Sequence, residues 1–175
     1  MPNWVTGFSD GESSFCILAT KCSDYKTGWR VIPTFSIELN NKDLPLLYKI
    51  KEYFRVGRIN SAKKNKSLFA VSSIKDLNNV IIPHFEKYPL LTTKKLSFIY
   101  FKNILSLMKD KKHLNPEGLH IIMSTRGVMN NQNFVAGYER PLLEIPKPLL
   151  PKLNKTDITP EWLAGFTDAE GCFFF

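Results

Sequence analysis

Apolar residues recur along this chain with two different periods, and the switches between them divide it into elements. Residues 29–40 alternate. Val31, Pro33, Phe35, Ile37 and Leu39 fall on one side, and Arg30, Thr34, Ser36, Glu38 and Asn40 on the other. That period of two predicts a half-buried strand with one polar face. Ile32 breaks the polar set, and Pro33 predicts an edge position or a bulge. Residues 14–22 read as a partner strand, joined to it by a turn over 23–28. A short helix over 4–9 precedes them, opened by Pro2 and Asn3 and ending near Gly11. Farther on, 41–57 reads as a helix with Asp43 as N-cap and Gly57 as C-cap. A second hairpin covers 58–73, with its tip at 63–66. Residues 74–88 form a helix cut by Pro83. In 92–113, Leu96, Ile99, Tyr100, Ile104, Leu107 and Met108 recur at helical spacing, and a further helix covers 117–129. Five prolines between 140 and 162 predict an extended linker. Asp157 or Thr159 then caps a last helix over 161–167, with Pro160 in its first turn.

The predicted order is helix, hairpin, helix, hairpin, then helices. Hairpins of adjacent strands alternate with helices, which is an α+β order with an antiparallel sheet. Charge adds a possible partner. The chain carries 24 Lys+Arg against 16 Asp+Glu, a net +8. Between Lys49 and Lys112 there are 15 basic residues and four acids. Such a block is either a solvated lysine surface or a face for a polyanion. Cys16, Cys22 and Cys172 form no C-x-x-C pair, and His84, His113 and His120 have no metal-binding spacing. No apolar run is long enough to span a membrane, so none is expected as a partner.

One stretch is written twice. "WVTGFSDGESSF" (4–15) and "WLAGFTDAEGCF" (162–173) agree at six of twelve positions, 158 residues apart. The period is too long for a solenoid and fits two domain-sized units. Gly7 and Gly165 lie inside predicted helices, where glycine costs about 1 kcal/mol against alanine. Close packing of two helix backbones would explain both. Thr6, Gly7 and Ser9, with Ala164, Gly165 and Thr167, would form the small-residue contact. Asp10, Glu12, Asp168 and Glu170 then fall at helix C-termini, where negative charge is disfavoured by about 0.3–1 kcal/mol each. If the helices touch, Glu12 and Glu170 meet. Two carboxylates ~4 Å apart repel by about 4 kcal/mol at an effective dielectric of 20. A hard divalent cation removes that penalty. Acids on a metal beside a basic surface point to phosphodiester hydrolysis.

The repeated stretch resembles the signature of the LAGLIDADG homing endonucleases, single-chain two-motif type. Leu163 to Gly171 matches at nearly every place, and Val5 to Ser13 departs where Ser13 replaces the usual glycine. The resemblance implies an αββαββα half with an antiparallel saddle-shaped sheet over residues 1–140. A Pro-rich linker over 141–160 would follow, and then the first helix of a second repeat over 161–175, truncated just after its start. It implies Glu12 and Glu170 as catalytic ligands of Mg²⁺ or another divalent cation. Asp10 and Asp168, with Gly7 and Gly165, would be structural. Lys94 and Lys95 are the basic candidates beside the metal. Arg30, Thr34, Ser36, Glu38 and Asn40 would read bases of double-stranded DNA, and Lys63, Lys64 and Lys66 would hold phosphates. Contacts to about eight phosphates would give a salt slope of about −7.

The function implied is site-specific DNA cleavage by an intron-encoded protein made in the mitochondrion. The alternative on the same scaffold is an RNA-binding intron maturase, with intron RNA as its partner. A third reading is an inactive relic. Glu12→Gln would separate the first two by abolishing cleavage while leaving splicing intact. Alone, the 175-residue chain is expected to bind DNA weakly and cut poorly.

Overall fold

A computed structural model describes residues 1–61, 64–129, 136–150, 152–154 and 157–171. Helix α1 (Pro2–Glu12) leads directly into β1 (Ser13–Lys21), which pairs antiparallel with β2 (Trp29–Asn40). After a 3-10 turn, α2 (Leu44–Phe54) brings the chain to the hairpin of β3 (Arg58–Ser61) and β4 (Lys66–Val71). A continuous helical stretch follows: α3 (Ile74–Asp76), a π-helical turn (Leu77–Ile81) and α4 (Ile82–Lys87). Then come α5 (Lys94–Lys109), α6 (Pro116–Met129) and α7 (Pro160–Glu170). The sheet order is β1-β2-β4-β3, antiparallel throughout. The fold is α+β, with antiparallel hairpins set between helices. Among the described residues, no helix is long and apolar enough to cross a membrane.

Strand alternation decides where the core lies. Phe15, Ile17, Phe35, Ile37, Leu39, Phe69 and Val71 point to one face of the sheet. They pack under Val5 and Phe8 of α1, Leu47, Ile50 and Phe54 of α2, Phe85 of α4, and Phe98 and Phe101 of α5. Phe15 alone touches the rings of Phe35, Phe85, Phe98 and Phe101. All helix cover is therefore on one side, and the other face keeps its polar residues in the open. A smaller cluster of Trp29, Leu119 and Met123 closes the far end of β2, with Tyr138 and Leu142 packed on it. Residues 141–150 of the proline-rich segment run without regular structure and are tied down where Leu143 donates its N–H to Ser124 Oγ at 2.9 Å.

Several local signals were overruled. β2 is an inner strand, not the edge that Pro33 suggested. However, β4 pairs only with Phe35–Asn40, so Pro33 has a neighbour on one side alone, Ile17. The Ile17 carbonyl points away from β2 and accepts from Arg126 Nε at 2.7 Å. No ladder bond is lost where Pro33 lacks its N–H. Helix α2 ends at Arg55, in the left-handed region at φ 56°, rather than at Gly57, and Asp43 makes no capping bond. Pro83 does not cut its helix. The π turn just before it shifts the hydrogen-bond register, with Ile82 N–H reaching Leu77 O, and the helix continues. The long helix is shorter at both ends than the 92–113 read from the sequence, running Lys94–Lys109 and ending before Lys111 at φ 57°.

Candidate metal centre and nucleic-acid interface

The two copies of the repeated stretch form α1 and α7, which cross in contact over their length. Each runs past its predicted end, to Glu12 and to Glu170. The crossing is reciprocal. A Cβ on Gly7 would strike the Trp162 carbonyl, and a Cβ on Gly165 would strike the Trp4 carbonyl. Both glycines are therefore needed for the backbones to approach. One turn later Gly11 faces Ala169, and a Cβ there would lie 3.0 Å from Glu170 Cγ. The contact row is thus Trp4, Gly7 and Gly11 against Trp162, Gly165 and Ala169. The small-residue contact expected from Thr6, Ser9, Ala164 and Thr167 is corrected. Thr6 and Ser9 turn into the core, and Ala164 is exposed on the outer side.

The first acids are held at this crossing. Asp10 is 4% exposed. Its Oδ2 accepts from Leu91 N–H at 2.8 Å and Trp162 Nε1–H at 2.9 Å. Its Oδ1 accepts from Thr92 Oγ1–H at 2.7 Å and Thr92 N–H at 3.3 Å. Asp168 mirrors part of this by accepting from Trp4 Nε1–H at 2.8 Å. The tryptophans did not stand out as ligands of the acids in the sequence. Their reciprocal place four residues before each phenylalanine was the available signal.

The second acids lie within electrostatic reach of each other at the helix ends. Burial, then the charge of Glu170, push the Glu12 carboxyl above its usual range, while Lys94 and Lys66 pull it down. Lys94 donates to the carbonyls of Ser9 (3.2 Å) and Gly11 (2.7 Å), capping the C-terminus of α1. Desolvation lowers its ammonium below the usual lysine value, against the pull of Asp10, Glu12 and Glu170. Lys95 is placed elsewhere. It lines a groove of about 490 Å³ with Pro89, Leu91, Leu153 and Trp162. Among the described residues there is no cluster of three or more His, Cys, Asp or Glu. Glu12 and Glu170 are the candidate pair of carboxylates at these helix ends. That suits a hard cation which completes its shell with water and phosphate.

The open sheet face begins where these acids end. Arg30 and Asn40 are exposed and Thr34, Ser36 and Glu38 half-buried on this side of β2. Thr34 Oγ1 lies 3.0 Å from Ser72 Oγ, and Asn40 Oδ1 accepts from Lys42 N–H. Lys66 Nζ donates to Glu38 Oε1 at 2.8 Å. Lys64 is exposed at the hairpin tip, and Lys63 lies outside the described residues. Sequence reasoning passed over the rest of this face: Ser14, Cys16, Leu18 and Thr20 of β1, Leu68 of β4, and Arg58 and Asn60 of β3. Cross-strand register places them in the same rows. The same alternation in β1 would have found the first four.

The family model described as LAGLIDADG endonuclease matches residues 5–105. "Probable intron-encoded endonuclease 2" of Neurospora crassa is 39% identical over 99% of this chain and 41% of its own length. I-SmaMI, solved bound to its uncleaved DNA target in the presence of calcium ions, superposes at a TM-score of 0.93. It is 35% identical, and the match covers 99% of this chain and 60% of that one. The LAGLIDADG meganuclease I-CpaMI bound to uncleaved DNA gives 0.83 at 37% identity, over 97% and 58%. The chain thus spans about two fifths of the fungal relative and about three fifths of the solved meganucleases.

Proposed function

Because this chain belongs to the LAGLIDADG endonuclease family, we propose that it supplies one DNA-reading sheet and both motif acids of a site-specific DNA endonuclease. The observation that carries the reading is the reciprocal crossing of α1 and α7. It sets Glu12 within electrostatic reach of Glu170 at the root of an open polar sheet. Both solved relatives were captured on DNA, which supports double-stranded DNA as the partner.

Glu12 and Glu170 would hold a divalent cation, most naturally Mg²⁺. A bound metal would polarise the scissile phosphate and lower the pKa of an attacking water. The protein's own part is placement. Gly7, Gly11 and Gly165 let the helices close until the carboxylates share a site. Asp10, saturated by four hydrogen bonds, fixes the loop over Leu91 and Thr92, which leads into Lys94. Lys94 has three donors, two of them on α1 carbonyls, and it would offer the third to a phosphate oxygen. Lys95, placed away from the acids, is not assigned this role. The fungal intron-encoded relative supports an organellar, mitochondrial intron as the gene's setting.

The test uses duplexes that the chain selects from a randomised pool. Slow cleavage or nicking by the chain alone is expected in Mg²⁺ and should stop on adding EDTA. Glu12→Gln and Glu170→Gln should each lower it about 100-fold while binding persists. Tight, selective binding by the unaltered chain with no cut or nick in Mg²⁺ would overturn the nuclease reading.

A further inference from the structure

Ile32 is the one apolar residue in the polar set of β2, and the proposed chemistry gives it no task. The register sets it opposite Leu18 of β1, on the open face. Leu18 is 48% exposed and Ile32 half-buried, so the pair does not bury itself. The rows on either side are more polar: Cys16 opposite Thr34, and Thr20 opposite Arg30. The core on the other face is already filled by Phe15, Ile17 and Phe35. An apolar pair left in water gains nothing from the fold and gains on binding only if it meets an apolar group.

The major-groove edges of DNA offer one such group, the C5 methyl of thymine. We propose that Leu18 and Ile32 form an apolar subsite that reads thymine methyl groups. This rests on the sheet being the DNA interface. Geometry limits its span. Successive outward residues on a strand lie about 6.6 Å apart, against a base step of about 3.4 Å. One row therefore meets one or two neighbouring base pairs. The next row carries Arg30, whose guanidinium fits guanine O6 and N7. The subsite thus selects thymine at one or two adjacent positions, with a guanine within about two base pairs.

The probe is a randomised duplex pool selected on the 175-residue chain at low salt. Each selected sequence is then prepared twice, with thymine and with uracil, which lacks only the methyl. Uracil should weaken binding about fourfold per methyl read. In the double variant Leu18→Ser with Ile32→Ser, which has no methyl to set against thymine, the two forms should bind alike. Three results overturn the subsite. If the unaltered chain prefers its selected sequences but binds thymine and uracil forms equally, the DNA reading stands and the subsite falls. If the double variant keeps the full preference for thymine, the methyl is read elsewhere. If no duplex is preferred at all, the DNA reading falls and the subsite with it.

Discussion

Asp10 and His84 show how single side chains tie α1 to the rest of the molecule. Asp10 receives two donors on each oxygen. Asparagine would aim an N–H₂ group at two donors in either orientation. Asp10→Asn should therefore destabilise the fold by about 3 kcal/mol, read as a lower urea midpoint. His84 is 8% exposed, with Nε2 3.1 Å from Thr6 Oγ1 and Nδ1 3.2 Å from the Tyr53 hydroxyl. Thr6 spends its proton on the Tyr88 carbonyl, so Nε2 must donate and Nδ1 must accept. The imidazole is held neutral, and burial pushes it down to about 4. The unfolded chain takes up this proton first as pH falls, so the stability is complete above 6.5 and drains between 6.5 and about 4. The loss should reach about 3 kcal/mol. Urea midpoints of the unaltered chain and His84→Gln across pH 4–7 check it, and the variant should lose this part of the slope. The doubled acids were legible because a repeat is visible in one dimension. The His84 network was not, since Thr6, Tyr53 and Tyr88 come from three separate segments.

Helix pairing is the element on which the candidate site depends. The closest approach is backbone to backbone, so a methyl group on Gly165 has no flexible neighbour to push aside. Gly165→Ala should release α7 although alanine is the better helix former. The body need not unfold with it, because Val5 and Phe8 of α1 remain packed on the sheet. Hydrogen exchange should show amides of α7 losing protection while those of β1 and β2 keep theirs. Ala164→Ser, on the exposed side of α7, should change little. The pairing itself could be anticipated from two glycines in helices. Which small residues meet could not, because that depends on the crossing and on which face each helix gives to the core. The misplaced ends elsewhere share one cause. Arg55 closes α2 and a π turn carries a helix through Pro83, because the packing of Phe54, Leu77 and Ile81 outweighs local signals of about 1 kcal/mol for glycine and about 3 kcal/mol for proline.

Across the whole molecule, strand alternation revealed the sheet and its open side, while the basic block does not gather on that side. The excess counted along residues 49–112 is spread over several elements. Lys49 and Lys51 lie on α2, Lys87 on α4, and Lys102 and Lys109 on α5, where Lys102 pairs with Glu86. Helices cover the face of the sheet opposite the polar one, so these lysines do not share a surface with Arg30 and Ser36. The open face and its hairpin tip carry four described basic side chains: Arg30, Arg58, Lys64 and Lys66. Lys66 is already paired with Glu38, which further limits what it can give a phosphate. Each phosphate neutralised contributes about −0.9 to the slope of log K against log salt, so four contacts predict about −4. Contacts to about eight phosphates, as expected from the sequence, would give about −7. A titration of duplex affinity between low and moderate salt distinguishes the two values. A slope near −4 fits DNA lying on the sheet alone. A slope near −7 would require the helix lysines to touch the duplex as well, and Lys102→Ala with Lys109→Ala should then flatten it by about 2. On the sheet reading the same pair of substitutions leaves the slope unchanged, because neither residue is on the open face.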